Sequence, residues 1–202
     1  MSQNSPTEES RRANYVIDPA SLREVVTNEA AVDSRIEELE NIGESGDAER
    51  ISWLRMLGRL QEAEKLGWIT LVKSGGATDT RQIVTPLPFH AVASALRLAH
   101  VLHWQKKYNQ ADRLFTAALE SAQSEIDSSE INLVAARSLT AFAWQHIGKL
   151  RFDQGQFADA LRSFESALVL RQELQSPEDQ LASTRQAICT AKAFLAQNVK
   201  ST

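Results

Sequence analysis

A repeated pattern of aromatic and small residues in the second half of the chain restricts the fold more than any other feature. The pattern is an aromatic residue, an alanine, a phenylalanine and an alanine at successive offsets of three, four and three residues. It occurs first as Tyr108, Ala111, Phe115 and Ala118, and again as Phe157, Ala160, Phe164 and Ala167. Offsets of three and four place side chains on one face of an α-helix. We therefore expect two equivalent helices in equivalent surroundings.

The residues before each aromatic predict that each of these helices packs closely on a preceding helix. Ala99 and Gly148 stand nine residues before the aromatic of their repeats, and each follows an aliphatic residue. A small residue on the first helix lets the first alanine of the second helix approach, and the phenylalanine and last alanine then pack against the neighbouring pair. The predicted fold class is all-α, built from antiparallel helix pairs.

These residues resemble the tetratricopeptide repeat (TPR), whose pattern is W-x₂-L-G-x₂-Y followed by A-x₃-F. The second copy provides the matching residues Trp144, Ile147, Gly148, Ala160 and Phe164. Residues 168–183, with their Ser-Pro-Glu turn, are similar to the longer repeats of kinesin light chains. The resemblance implies a right-handed superhelix of antiparallel helix pairs, that is, a TPR-like α-solenoid.

The repeat is longer than the family standard. The equivalent residues Val92 and Ala141 are 49 positions apart, whereas a TPR has 34 residues. The extra length corresponds to about four helical turns. We expect it to lengthen the helices on either side of Asp127, where the spacing of Asp127 and Glu130 predicts a helix start.

The pattern divides the chain into an N-terminal part and a repeat domain. Residues 1–15 are predicted to be a flexible tail. Residues 16–46 are predicted to be a helical region whose first helix begins at Asp18 and Pro19. The TPR-like domain then covers residues 47–202. Its predicted parts are a degenerate repeat at 47–74, a linker at 75–88, clear repeats at 89–127 and 128–175, and a closing helix at 176–198.

Composition argues against several function classes. The net charge is −4, whereas binding to phosphate backbones needs clustered Lys and Arg, so we expect no nucleic-acid partner. No apolar run reaches the roughly 18 residues needed to cross a bilayer, and the polar start lacks a secretory signal, so we expect no membrane partner and a cytoplasmic location. Cys189 is the only cysteine, which argues against a disulfide framework. We expect it to be a buried small residue of the closing helix.

The charge is distributed unevenly along the chain. The first 50 residues carry twelve acidic and five basic side chains, and the remainder has three more bases than acids. Two interpretations stay open. The acidic region is solvated, or it folds across a basic surface of the body and shields it.

The TPR resemblance also indicates a ligand-binding groove. In that family the first helix of each pair lines the concave face, and fixed positions on it contact the ligand. The residues that match those positions are Leu96, Arg97, His100, His103 and Trp104 in one repeat and Phe142, Gln145, His146, Lys149 and Phe152 in the next. Ala93 and Asp153 take two further positions. Cationic and neutral groups among aromatics suit an acidic peptide with an apolar anchor. The alternative is that these residues pack against the N-terminal helices.

Chemistry-bearing motifs are absent from the sequence. It contains no phosphate loop, dinucleotide fingerprint, zinc-protease helix or nucleophile elbow. The spacing of His100 and His103 permits a shared metal, but no third ligand lies near them in the sequence. We therefore expect no catalytic residue, no cofactor and no metal.

The sequence thus predicts a non-catalytic protein-interaction module that binds an extended peptide segment of a partner in its concave groove. Two alternatives stay open. One is a ligand-responsive regulator gated by the N-terminal helices, and the other is a histidine- or metal-dependent enzyme. The sequence also allows a homo-oligomer.

Overall fold

The structure, a computed structural model, describes residues 14–80, 82–128 and 130–200. This part of the chain is predominantly helical, and each helix packs against the next. The strands are β1 (Tyr15–Ile17) and β2 (Glu24–Val26). The helices are α1 (Glu29–Ile42), α2 (Asp47–Met56), α3 (Leu60–Lys73), α4 (Val92–Trp104), α5 (Tyr108–Ser128), α6 (Leu133–Asp153), α7 (Phe157–Glu173) and α8 (Glu178–Lys200). The predicted helical class, with neighbouring helices packed together, is confirmed.

The repeated small and aromatic residues lie at the helix contacts. Ala111, Phe115, Ala160 and Phe164 are all fully buried. Gly148 of α6 makes room for an aromatic ring, since a Cβ atom there would lie 2.5 Å from Cε1 of Phe164. The close approach predicted from Gly148 therefore exists, and the group that approaches it most closely is the phenylalanine of α7.

The second helix of the α2–α3 pair has Gly67 at the position that a phenylalanine, Phe115 or Phe164, occupies in the clear repeats. A Cβ atom at Gly67 would lie 3.0 Å from Cδ1 of Leu98. The glycine therefore lets α3 approach α4. The following segment, predicted to be a linker, contributes Ala77 and Leu87 to the core, and it is packed rather than freely exposed.

The extra length of the repeat lies in two long helices. Helices α5 and α6 have 21 residues each, against 13 in α4. At their shared end, Ile131 is 96% exposed and Val134 is 69% exposed. The predicted helix start at Asp127 is wrong. Helix α5 continues through that residue to Ser128, and α6 begins only after Asn132.

The predicted helix at Asp18 and Pro19 is also wrong. The segment forms an antiparallel hairpin in which Tyr15 pairs with Val26. The Asp18 carboxylate accepts hydrogen bonds from the Ser21 amide at 2.8 Å and from the Ser21 hydroxyl at 2.5 Å, so it closes a turn instead of capping a helix. The first α-helix begins at Glu29. Of the predicted tail, residues 1–13 lie outside the described part of the chain.

The prediction for Cys189 is wrong as well, because this thiol is exposed. Ala187, Ile188 and Ala191 on the same helix are buried. Helical geometry then turns Cys189 away from the core.

Candidate functional site

The residues predicted to line a groove come together on α4 and α6, but most of them are covered. We call these ten residues the α4–α6 surface. Its buried members are Leu96, His100, His103, Gln145, His146, Lys149 and Phe152, and its partly buried members are Arg97, Trp104 and Phe142. An open groove is therefore not what the structure has at these positions. The N-terminal hairpin, residues 14–27, contacts this surface at Lys149, Trp104 and Phe152.

Glu24 of the hairpin forms a buried ion-pair network at this surface. One carboxylate oxygen accepts a hydrogen bond from Lys149 Nζ at 3.2 Å, and the other accepts one from Arg55 Nη1 at 3.0 Å. The side chains of Glu24, Lys149 and Arg55 are 13%, 8% and 6% exposed. Burial raises the pKa of Glu24, but the two positive charges outweigh it and hold that pKa well below its usual range. The carboxylate is therefore ionised at neutral pH.

Arg23 makes a second charged contact on the same surface. Its Nη2 donates to Oδ2 of Asp153 at 2.6 Å, and His103 Nε2 lies 3.0 Å from the same oxygen. The guanidinium groups of Arg23 and Arg55 lie over the ring of Trp104, at 5.3 Å and 4.5 Å from its centroid. These are cation–π distances. The hairpin thus pairs with acidic, basic and aromatic groups of the helices.

Leu22 supplies an apolar anchor beside these charges. It is 1% exposed and belongs to a core cluster with Phe152, Phe164 and Ile188. Thr190 of α8 donates a hydrogen bond to the Pro19 carbonyl at 3.1 Å. The hairpin therefore contacts α2, α4, α6 and α8 through one short segment that carries an aliphatic side chain and a carboxylate.

Three imidazoles, those of His100, His103 and His146, lie together on the α4–α6 surface. The ring centroids of His100 and His146 are 4.0 Å apart, and those of His100 and His103 are 6.2 Å apart. Burial, and after it the charges of Lys149 and Arg55, hold the pKa values of His100 and His146 well below the ordinary value of 6.5. Burial also lowers the pKa of His103, although Asp153 opposes this effect. These rings are therefore neutral at neutral pH.

We expect the protein to lose stability as the pH falls below 6.5. The pKa values of His100 and His146 are lower in the folded chain than in the unfolded chain, so the unfolded chain binds more protons in acid. Each histidine then removes up to about 1.4 kcal/mol per pH unit from the free energy of unfolding, and Glu24 adds its own loss at lower pH. Urea denaturation at about pH 7.5 and pH 5.5 measures the effect.

A matched pair of variants tests whether the buried histidines cause this loss of stability in acid. His146→Phe is expected to flatten the pH dependence, because it removes one buried imidazole beside Phe142. His90→Phe changes an exposed imidazole and is expected to leave the slope unchanged. Equal slopes in the two variants would contradict the account.

Sequence reasoning did not assign a site role to Glu24, Arg55 or Arg23. Its only signal was the uneven charge, for which shielding of a basic surface by the acidic segment was one of two open interpretations. The contacts of Glu24 with Lys149 and Arg55 are shielding of this kind at one position. Asp153 stood at a ligand-facing position of the second repeat, and the structure places it beside His103.

Comparison with known proteins adds no assignment, since no protein family, curated protein sequence or solved structure matches this chain. In the described ranges, no three His, Cys, Asp or Glu side chains are arranged to hold a metal ion. Among the helices of those ranges, none combines the length and apolar character that a membrane span needs.

Proposed function

We propose that this protein is a non-catalytic interaction module whose α4–α6 surface binds an extended acidic segment of a partner protein. In this proposal the N-terminal hairpin holds the surface until the partner displaces it. The observation that carries the proposal is the bridge from the Glu24 carboxylate to Lys149 and Arg55.

The proposal includes the TPR-like arrangement of the helix pairs. The first helices of successive pairs, α2, α4 and α6, contact one another as well as their own partners, and the closing helix α8 contacts α6 in the same way. Such contacts are expected when pairs stack into a solenoid, where the first helices share one curved surface. That surface would present the α4–α6 residues to an extended segment.

The hairpin has the chemistry of the partner that we propose. Leu22 is buried among aromatic and aliphatic side chains, and Glu24 two residues later forms ion pairs with two cations. A partner segment with an aliphatic residue and an acid at the same spacing would make the same contacts. The affinity would come from the apolar anchor and the desolvated ion pairs.

The hairpin is a suitable element for displacement because its own pairing is weak. Each strand has three residues, and an isolated two-stranded hairpin is at best marginally stable in water. Its order therefore depends on docking to the helices. Being covalently attached, it competes with a partner at an effective concentration in the millimolar range.

This competition also favours the second candidate function, a regulator that responds to its ligand. The gating element would be the hairpin rather than the predicted N-terminal helices, because the hairpin makes the contacts with Lys149, Arg55 and Asp153. A bound partner would release the hairpin and expose its two strands to other proteins.

A peptide with the sequence of residues 14–28 tests the proposal. We expect the fluorescently labelled peptide to bind the wild-type chain weakly and to bind a Glu24→Gln chain at least about tenfold more tightly. The variant weakens the attached hairpin and leaves Lys149 and Arg55 without their carboxylate. Fluorescence anisotropy measures both affinities.

Two controls define the result. A peptide that carries the Glu24→Gln change is expected to lose most of the binding, because it lacks the carboxylate. A Glu37→Gln chain loses the same charge at an exposed position and is expected to bind as the wild type does. If the Glu24→Gln chain keeps its helical circular dichroism but does not bind the peptide, the proposal is wrong.

A further inference from the structure

Arg171 of α7 is a buried cation that forms no salt bridge with any acidic side chain in the described part of the chain. The residue is 7% exposed, and no carboxylate oxygen of the described residues forms a salt bridge with it. Burial lowers the pKa of Arg171 to about 10, and only the more distant charge of Asp179 opposes this effect. A buried guanidinium is normally paired with an anion, because burying an unpaired charge is costly.

The hydrogen bonds of Arg171 leave part of its guanidinium unused. Nη1 alone donates to the Gln180 carbonyl at 3.0 Å, to Gln145 Oε1 at 3.4 Å and to the Thr184 hydroxyl. All three acceptors are neutral. Nε and Nη2 donate to no atom of the described residues, and neither is enclosed by protein. Three N–H groups of the guanidinium are therefore available to a ligand.

Arg171 belongs to the lining of a pocket of about 400 Å³. Its wall is formed by α6, by the end of α7 and by the start of α8, with Arg171 as its charged member. Val134, Leu139 and Phe142 give the pocket an apolar side, and Ser138 lies exposed on its rim. The pocket thus combines one forked cation with an apolar wall.

The pocket adjoins the surface that the hairpin covers. Gln145, which accepts a hydrogen bond from Arg171, lies one helical turn before Lys149, and Phe142 belongs both to the pocket and to the α4–α6 surface. The Glu24 carboxylate is bound to Lys149, and we call this position the Lys149 site. No hairpin residue lines the pocket. A segment longer than the docked hairpin could reach both positions.

We propose that the pocket beside Arg171 is a second anion site, which binds a carboxylate of the same partner segment. This inference rests on the proposed function and adds what the partner must carry: two acidic groups, of which the hairpin supplies only one. A carboxylate fits the fork of Nε and Nη2 in a bidentate geometry. A phosphate is disfavoured because its extra negative charge would lie near Asp179, which acts electrostatically on Arg171.

Small carboxylates test the site while the hairpin stays docked. N-acetyl-leucine offers a terminal carboxylate, the α-amide of N-acetyl-glutamate offers a side-chain carboxylate, and N-acetyl-leucinamide offers none. We expect one or both acids to shift the Nε–H resonance of Arg171 in a chain with ¹⁵N-labelled arginine, with Kd values of about 1–10 mM. We expect no shift from the amide. The acid that binds more tightly identifies the source of the carboxylate.

Variants of exposed serines provide the control, because a change at Arg171 itself could prevent folding. Ser138→Asp places a carboxylate at the rim of the pocket and is expected to weaken binding of the acids at least about tenfold. Ser128→Asp makes the same change at the exposed end of α5 and is expected to have no effect. Absence of any shift, an equal shift from the amide, or tighter binding of inorganic phosphate would overturn the inference. None of these results would alter the peptide experiment at the Lys149 site.

Discussion

Replacing Phe164 with alanine is expected to lower the free energy of unfolding by about 3–5 kcal/mol. The ring is fully buried, lies against Gly148, and shares a core cluster with Leu22 and Phe152. Its loss would leave a cavity that the rigid helix contact cannot close. Equilibrium denaturation in urea, followed by far-UV circular dichroism, measures the change.

Phe194→Ala is the matched control, since the same atoms are removed from a ring that is 37% exposed. It is expected to cost about 1–2 kcal/mol, because less apolar surface is lost from the core. Equal costs at Phe164 and Phe194 would contradict the account that Phe164 fills the buried contact with Gly148.

The same contact can be tested from the other helix. Gly148→Ala would place a Cβ atom 2.5 Å from Cε1 of Phe164, whereas Gly67→Ala would meet the end of the Leu98 side chain at 3.0 Å. Both changes gain up to about 1 kcal/mol of helix propensity. We expect Gly148→Ala to be destabilising despite this gain, since overpacking costs about 1–3 kcal/mol. Gly67→Ala is expected to be close to neutral.

The second large effect is expected from Glu24→Gln. Removing this charge leaves Lys149 and Arg55 as buried cations, and breaking a buried ion pair in this way costs about 3–5 kcal/mol. The helices need not unfold to relieve that cost, because undocking the hairpin returns both cations to water. We therefore expect local opening, with amide exchange of the hairpin faster by roughly a hundredfold to several thousandfold.

Hydrogen exchange resolved by residue measures this opening. The informative amides are those of Asp18, Leu22 and Thr27, which donate to Arg23, Asp18 and Asn14. Glu37→Gln removes the same charge from an exposed helical position and is expected to leave their exchange unchanged. If Glu24→Gln accelerates exchange of the helical core as much as that of the hairpin, the hairpin does not open independently.

The helical part of the fold could be predicted because its determinants are local. Offsets of three and four identified the faces of α5 and α7, and the small residue at Gly148 indicated a close crossing. It was harder to predict which face of α8 is buried. Alanines are spread along that helix, and a cysteine is found both in the core and at the surface. Its buried face contains Ala187 and Ala191, and Cys189 faces outward.

The hairpin could not be predicted from the same kind of signal. Asp18 followed by Pro19 is typical of a helix start, but the carboxylate accepts the same kind of hydrogen bond when it closes a turn. Strands of three residues are also too short to show a clear alternation. The sequence placed the helical residues of the site on α4 and α6, yet Glu24 and Lys149 are 125 positions apart. No local pattern connects residues at that separation.

The most direct test of the account is whether a bound acidic segment moves the hairpin. Cys189 is the only cysteine, is exposed on α8, and adjoins Thr190, which contacts the hairpin turn. A second label at Val16→Cys, a strand position that is 55% exposed, gives a nitroxide pair for double electron–electron resonance. Without peptide we expect one narrow distance distribution, and with a saturating amount of the residue 14–28 peptide a longer and broader one. An unchanged narrow distribution while the peptide is bound would contradict the account.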